Sequence, residues 1–147
     1  MGKFVFKLQA VLNLKKQIES NMKNELGKAV QELERQKIIL LDIETERDEY
    51  IGEINSKSSS GISVGLLKEY SSYISLLKDR IELQKNNVRR AQKSVDKCRE
   101  QLVTAVQERK MMEKLREKKY EEYIKEQQKM EQKVIDEIAS FNYKVSE

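Results

Sequence analysis

Asn55-Ser56-Lys57-Ser58-Ser59-Ser60-Gly61-Ile62-Ser63 is the only Ser/Gly-rich stretch in this 147-residue chain. It decides the fold because a periodic pattern runs into it from both sides and stops. Before it, one seam follows Leu8, Val11, Lys15, Ile18, Met22, Leu26, Ala29, Leu33, Gln36, Leu40, Ile43, Arg47, Tyr50 and Ile54. Eleven of these fourteen are apolar, at the alternating steps of three and four that mark a heptad seam, with one four-residue stutter at Met22–Leu26–Ala29. After it, a second seam runs Leu66, Tyr70, Tyr73, Leu77, Ile81, Gln84, Val88, Ala91, Val95, Cys98, Leu102, Ala105, Arg109 and Met112, and continues less cleanly through Tyr123, Met130, Val134, Ile138 and Phe141. Between the seam positions stand mostly Lys, Glu, Gln and Arg, all good helix formers.

Serine and glycine together favour a turn, and Ser63 has the chemistry of an N-cap. A short turn between two heptad helices favours an antiparallel hairpin. The predicted fold is therefore all-α, two long helices in an antiparallel coiled-coil hairpin, the second longer than the first. The expected boundaries are helix 1 at about 4–55, a turn at 56–63 and helix 2 at about 64–142, in a single domain over 1–147. At about 1.5 Å per residue the helices would measure roughly 75 and 115 Å. If Ile54 lies opposite Leu66, residue i pairs with about 120 − i. Phe4 then falls near Arg116, and everything from about Glu117 onward is expected to lack a partner within the chain.

Composition narrows the chemistry. The chain has no Pro, no His, no Trp and one Cys, where average usage would supply about seven prolines. Without His there is no Ser-His-Asp or Cys-His triad and no Cys/His zinc site. Cys98 cannot form an intrachain disulfide, and its seam position suits a small buried hydrophobe. The five glycines never take phosphate-loop spacing. Glu121-Glu122 and Asp136-Glu137 are sequence neighbours that point to different helix faces, so neither is an acid/base pair. The expectation is a protein that is no enzyme and takes no metal or cofactor. The amino-terminal stretch is broken by Lys3, Lys7, Lys15 and Lys16 and has no signal-peptide core. The longest apolar run, Ile38-Ile39-Leu40-Leu41, is far short of a membrane span. A cytoplasmic protein that meets membranes only through partners is expected.

Two features exceed what one seam needs. Near the turn, Ile38 to Ile43 and Leu66 to Leu83 carry apolar residues over more than half of each helix circumference. Such a surplus marks an interaction site, with Tyr50, Tyr70 and Tyr73 of hot-spot type, or else a self-association face or a broadened seam. Further on, residues 84–119 hold twelve basic and five acidic residues, against an overall net charge of +4. That run suits an acidic protein surface or nucleic acid, or a solvated face complementing helix 1.

The opening Phe4-Val5-Phe6-Lys7-Leu8-Gln9-Ala10-Val11-Leu12, followed by Lys15-Lys16 and Glu19, resembles the start of the FliJ family of flagellar export proteins. Ser60-Gly61-Ile62-Ser63, Tyr70-Ser71-Ser72-Tyr73-Ile74 and Glu131-Gln132-Lys133-Val134-Ile135-Asp136-Glu137 are similar to it too, so the resemblance covers essentially the whole chain. It implies an antiparallel two-helix coiled coil like the stalk subunit of rotary ATPases, acting in flagellar type III export at the cytoplasmic face of the inner membrane, in the service of motility and chemotaxis. The implied partners are the hexameric export ATPase, whose pore takes the paired chain ends, the export gate membrane protein, and export chaperones. The gate-binding patch carries over near the turn to Ile43, Tyr50, Tyr73 and Leu77, with Ile39 beside them, while Glu46, Arg80 and Gln84 depart from the family pattern. Lys110, Lys114, Arg116, Lys118 and Lys119 are the candidates for acidic pore loops of the ATPase. No nucleic acid is expected as partner, and the free chain is expected to be a monomer. The alternatives are a self-assembling structural coiled coil and a basic nucleic-acid-binding coiled coil, although the latter lacks the basic block abutting a leucine seam that bZIP proteins show.

Overall fold

The computed structural model describes residues 2–146. Two helices account for nearly all of them, α1 (Gln9–Ser60) and α2 (Val64–Ser146), and they form an antiparallel coiled-coil hairpin with the second arm longer. No strand occurs among the described residues.

The link is shorter than the sequence suggests. The serines expected to form the turn stay helical, and only Gly61–Ser63 leave it. The Ser58 hydroxyl donates to the Ile54 carbonyl at 2.6 Å, and Ser59 donates to Ser56 at 2.8 Å. Bonding back by three or four residues lets serine ride in a helix instead of ending it. Gly61 then takes φ +89°, a left-handed conformation that costs glycine little and closes helices. Ser63 caps α2 as expected: its Oγ accepts from the Leu66 N–H at 3.2 Å, and its carbonyl from Leu67 at 3.0 Å.

The chain divides into two compact units, one made of Asn21–Leu102 and the other of Met1–Ser20 with Val103–Glu147. In the first, Leu33, Ala91 and Val95 form a buried cluster backed by Leu26, Ala29 and Val88. Ile74, Leu77 and Ile81 continue it toward the turn. Cys98 is half-buried, in keeping with its seam position. One seam layer is polar. Gln84 is buried and its Nε2 donates to the Gln36 carbonyl at 2.9 Å and to Gln36 Oε1 at 2.7 Å, while its own oxygen accepts from Asn87 at 3.0 Å. A satisfied polar layer in an apolar seam fixes register, because any slip would leave these amides unpaired. The Gln36–Gln84 pairing and the Glu46–Tyr73 contact both obey the predicted rule.

In the second unit the seam starts differently from the expectation. Residues 2–8 are not helical. Leu8 and Val11 are exposed, Phe6 and Leu12 take the buried places, and Ala105 is buried on α2. An extended residue advances about 3.3 Å against 1.5 Å in a helix, so this strap reaches further along α2 than a helical turn would. Phe4 does meet Arg116, whose guanidinium carbon lies 5.8 Å from the ring centroid, but it also packs on Tyr120 at 5.2 Å and Tyr123 at 5.5 Å. The Tyr123 hydroxyl donates to the Gly2 carbonyl. Partners therefore persist past Glu117, and the overhang begins only after about residue 127. An ionic cluster around buried Glu19 anchors the same unit. Glu19, 8% exposed, receives Arg109, whose other arm reaches Glu113 at 2.8 Å, and Lys15 pairs with Glu108 at 2.9 Å.

Candidate protein-binding surfaces

The turn-side unit concentrates aromatic side chains. Tyr50 on α1 lies 4.6 Å from Tyr73 and 5.7 Å from Tyr70, centroid to centroid. Ring pairs at such separations add to plain area burial. Each α2 hydroxyl is tied across the hairpin: Tyr70 donates to Glu53 at 3.0 Å and Tyr73 donates to Glu46. Lys57 donates to the Tyr70 hydroxyl at 2.6 Å and sits 4.9 Å from its ring centroid. The Glu46 carboxylate that accepts the Tyr73 proton, helped by partial burial, raises the phenol above its ordinary pKa. These rings are held by side chains of both helices, so they present a fixed surface.

Of the five residues expected to face the gate, Ile39, Ile43, Tyr50 and Tyr73 are half-buried and keep part of their surface open. Leu77 is 0% exposed. It is a seam residue and has no side-chain surface to offer a partner. The heptad position that made it look like part of the patch also turns it inward. The exposed apolar residues nearby are Leu76 and Leu83, seven residues apart on one face of α2, and Ile38 and Leu41 on α1. Tyr73 and Leu76 line one shallow groove together with Lys68, Glu69 and Ser72.

In the chain-end unit all five predicted cations, Lys110, Lys114, Arg116, Lys118 and Lys119, are exposed, but they do not form one cluster. Lys110, Lys114 and Lys118 stand at i, i+4, i+8 and share a helix face. Arg116 is about 200° around the helix from Lys114. There it bonds Gln9 at 3.1 Å and covers Phe4, while Lys119 meets Glu122 at 3.4 Å. An open groove beside them is walled by the strap residues Phe4, Phe6 and Leu8 and by Leu115 and Tyr123 of α2. The aromatic cluster of Phe4, Tyr120 and Tyr123 was not legible as a site. Tyr123 falls on the seam, but the strap that brings Phe4 onto it breaks the periodicity. The ionic cluster at Glu19 was hidden for a similar reason, since the seam reads through Lys15 and Ile18.

Beyond residue 127 every described residue is exposed. Met130, Val134, Ile138 and Phe141 recur at steps of four, four and three, a stripe with no covering among the described residues. Also among the described residues, no helix is long and apolar enough to cross a membrane, and no group of three or more His, Cys, Asp or Glu is placed to hold a metal ion.

Comparison with known proteins agrees with this architecture. A solved structure described as that of a YscO homolog from Chlamydia trachomatis superposes with a TM-score of 0.72 over 97% of both chains at 20% sequence identity, a likeness of fold. No curated protein matches the chain. The family model described as "Flagellar FliJ protein" matches residues 4–147. The hairpin, with its short glycine link and its longer second arm, thus belongs to the flagellar FliJ protein family and is a coiled-coil protein associated with flagellar type III export.

Proposed function

We propose that this protein is a non-catalytic adaptor of flagellar type III export with two separate protein-binding surfaces. The chain-end unit seats in the central pore of the hexameric export ATPase. The row Lys110, Lys114 and Lys118 faces acidic pore loops, and the stripe Met130–Phe141 finds there the apolar partner it lacks. The turn-side surface of Ile39, Ile43, Tyr50 and Tyr73 takes the export gate membrane protein, with Leu77 supporting it from beneath. Export chaperones are escorted on the same molecule. The free protein is a cytoplasmic monomer that reaches the inner membrane at the flagellar base only through the gate, and it takes no cofactor.

The observation that carries this reading is the uncovered stripe. An isolated helix of this length is marginal in water, and a heptad-like row of large side chains facing solvent marks an interaction site. Titration of the purified chain against the ATPase and against the cytoplasmic part of the gate tests it. Ile138→Ser with Phe141→Ser is expected to weaken ATPase binding about tenfold or more, the scale of a lost hot spot, and to spare gate binding. Tyr50→Ala with Tyr73→Ala should do the reverse. If each pair weakens both partners equally, or neither, the two-surface reading is wrong. Sedimentation separates it from a self-assembling coil, for which the same stripe would drive a concentration-dependent dimer.

A further inference from the structure

The basic run of α2 divides into two parts. Arg109 crosses the hairpin to Glu19 of α1, as complementing helix 1 requires, but the stretch at positions 85–99 lies in the turn-side unit and pairs differently. Among the described residues of the turn-side unit, no salt bridge runs from positions 85–99 to α1. The acidic residues of the flanking α1 stretch are already engaged on their own helix: Glu25 with Lys28 at 3.9 Å, Glu32 with Arg35 at 2.7 Å, and Glu34 with Lys37 at 3.7 Å.

The cations themselves are ordered along the helix. Lys85, Arg89, Lys93 and Lys97 stand at i, i+4, i+8 and i+12, so they form one row roughly 18 Å long, with Arg90 beside it. Lys85 meets Glu82 at 3.5 Å and Arg89 meets only the neutral Asn86, at 2.6 Å. Arg89, Arg90, Lys93 and Lys97 are exposed, and none of them has an acidic partner among the described residues. Like charges at i, i+4 repel. Lys85 is thus paired, and Glu82, Asp96 and Glu100 stand on the same face, but Arg89, Lys93 and Lys97 make a row of like charges with no ion pair of their own among the described residues. Within positions 85–99 no apolar residue shares this outward face, because Val88, Ala91, Val95 and Cys98 all turn to the seam or lie half-buried; exposed Leu83 lies just before it, in line with Arg90.

We propose that the row Lys85–Arg89–Lys93–Lys97 is a docking strip for an acidic helical segment of a partner protein. The strip is one helix wide and flanked by the acid-bearing α1. A row of Glu at every fourth position on a partner helix repeats at the same roughly 6 Å step, so its carboxylates can be set against successive cations where the two helices meet. A nucleic-acid duplex offers phosphates on both sides of a groove about 12 Å wide, and the α1 side of the strip would set carboxylates against them. A lipid surface holds amphipathic helices by apolar side chains sunk below the headgroups, and positions 85–99 offer none on this face. The strip is independent of the two surfaces assigned above and would serve a third contact.

The test is calorimetric titration of the full chain, at low salt, with a synthetic helical peptide carrying Glu at every fourth position. Binding is expected, falling steeply as salt screens the row. Arg89→Glu with Lys93→Glu and Lys97→Glu should weaken it at least about tenfold. The same three residues changed to Gln should give an intermediate loss, and this neutral set decides the matter if the reversed set loses helicity by circular dichroism. Lys125→Glu with Lys129→Glu and Lys133→Glu, an equal change of net charge elsewhere on α2, should leave the affinity unchanged. The proposal is overturned if the peptide does not bind or if the row variants bind it as the parent does. It is also overturned if a random-sequence DNA duplex or phosphatidylserine vesicles bind through the row more tightly than the peptide.

Discussion

Two stretches of the same helix carry similar apolar patterns and meet opposite fates. From Ile74 to Val95 the seam side chains of α2 are at most 9% exposed except for half-buried Val88, whereas from Met130 to Val145 the large apolar residues are 53–68% exposed. Backbone and spacing barely differ. What differs is the presence of α1 alongside. The comparison teaches that periodicity states what a helix can bury, and that a second surface decides whether burial happens. The first stretch draws stability from its partner. The second stores an unsatisfied preference, which is a binding property.

The comparison can be broken most directly by truncating one side chain in each stretch. Leu77→Ala, at a fully buried site, is expected to lower unfolding free energy by about 3 kcal/mol. Ile138→Ala in the free protein should change it by less than about 0.5 kcal/mol. Urea denaturation followed by circular dichroism reads both, and equal losses would mean that the overhang is packed in solution. A smaller but more local contrast should appear in amide exchange. Amides of residues 128–146 should exchange at least about 100-fold faster than those of residues 74–95, as helical segments without tertiary contacts open on their own. Addition of a partner that covers the stripe should shrink that ratio.

The least effect concerns surface support of the seam region. Arg35, and then Gln36, bond the Glu32 carboxylate and pull its pKa from 4.5 to about 2. A depressed carboxylate stabilises the fold fully above its ordinary pKa and loses that contribution as pH falls through its folded value. Acidification from about 4.5 toward about 2 should therefore weaken the Asn21–Leu102 unit slightly. Glu32→Gln should flatten that part of the acid melting profile without altering protection of the overhang.

The architecture was written plainly in the sequence because it depends on spacing. The two seams and the pairing of Gln36 with Gln84 follow from heptad phase, and the link and the Ser63 cap from the residues that interrupt it. What spacing could not show depends on local competition. Serine reads as turn or as helix according to whether its hydroxyl can reach a carbonyl behind it, and at Ser58 and Ser59 it does. Leu8, Val11, Leu12 and Leu14 all suit a seam; the heptad phase put Leu8 and Val11 inside, and the strap instead places Phe6 and Leu12 there. On the surfaces, Leu77 shows the ambiguity most sharply. A large apolar residue on a seam next to aromatic neighbours looks the same in sequence whether it anchors a partner or the hairpin itself.

The link at Gly61 also orders events in time. During synthesis the residues beside it meet their partners almost as soon as they leave the ribosome, so zipping starts there. Phe4 is made more than a hundred residues before its ring partners Tyr120 and Tyr123. At about 5–20 residues per second, the amino-terminal strap waits on the order of ten seconds for its aromatic dock. In a nascent chain the strap therefore settles well after the helices beside the link have paired.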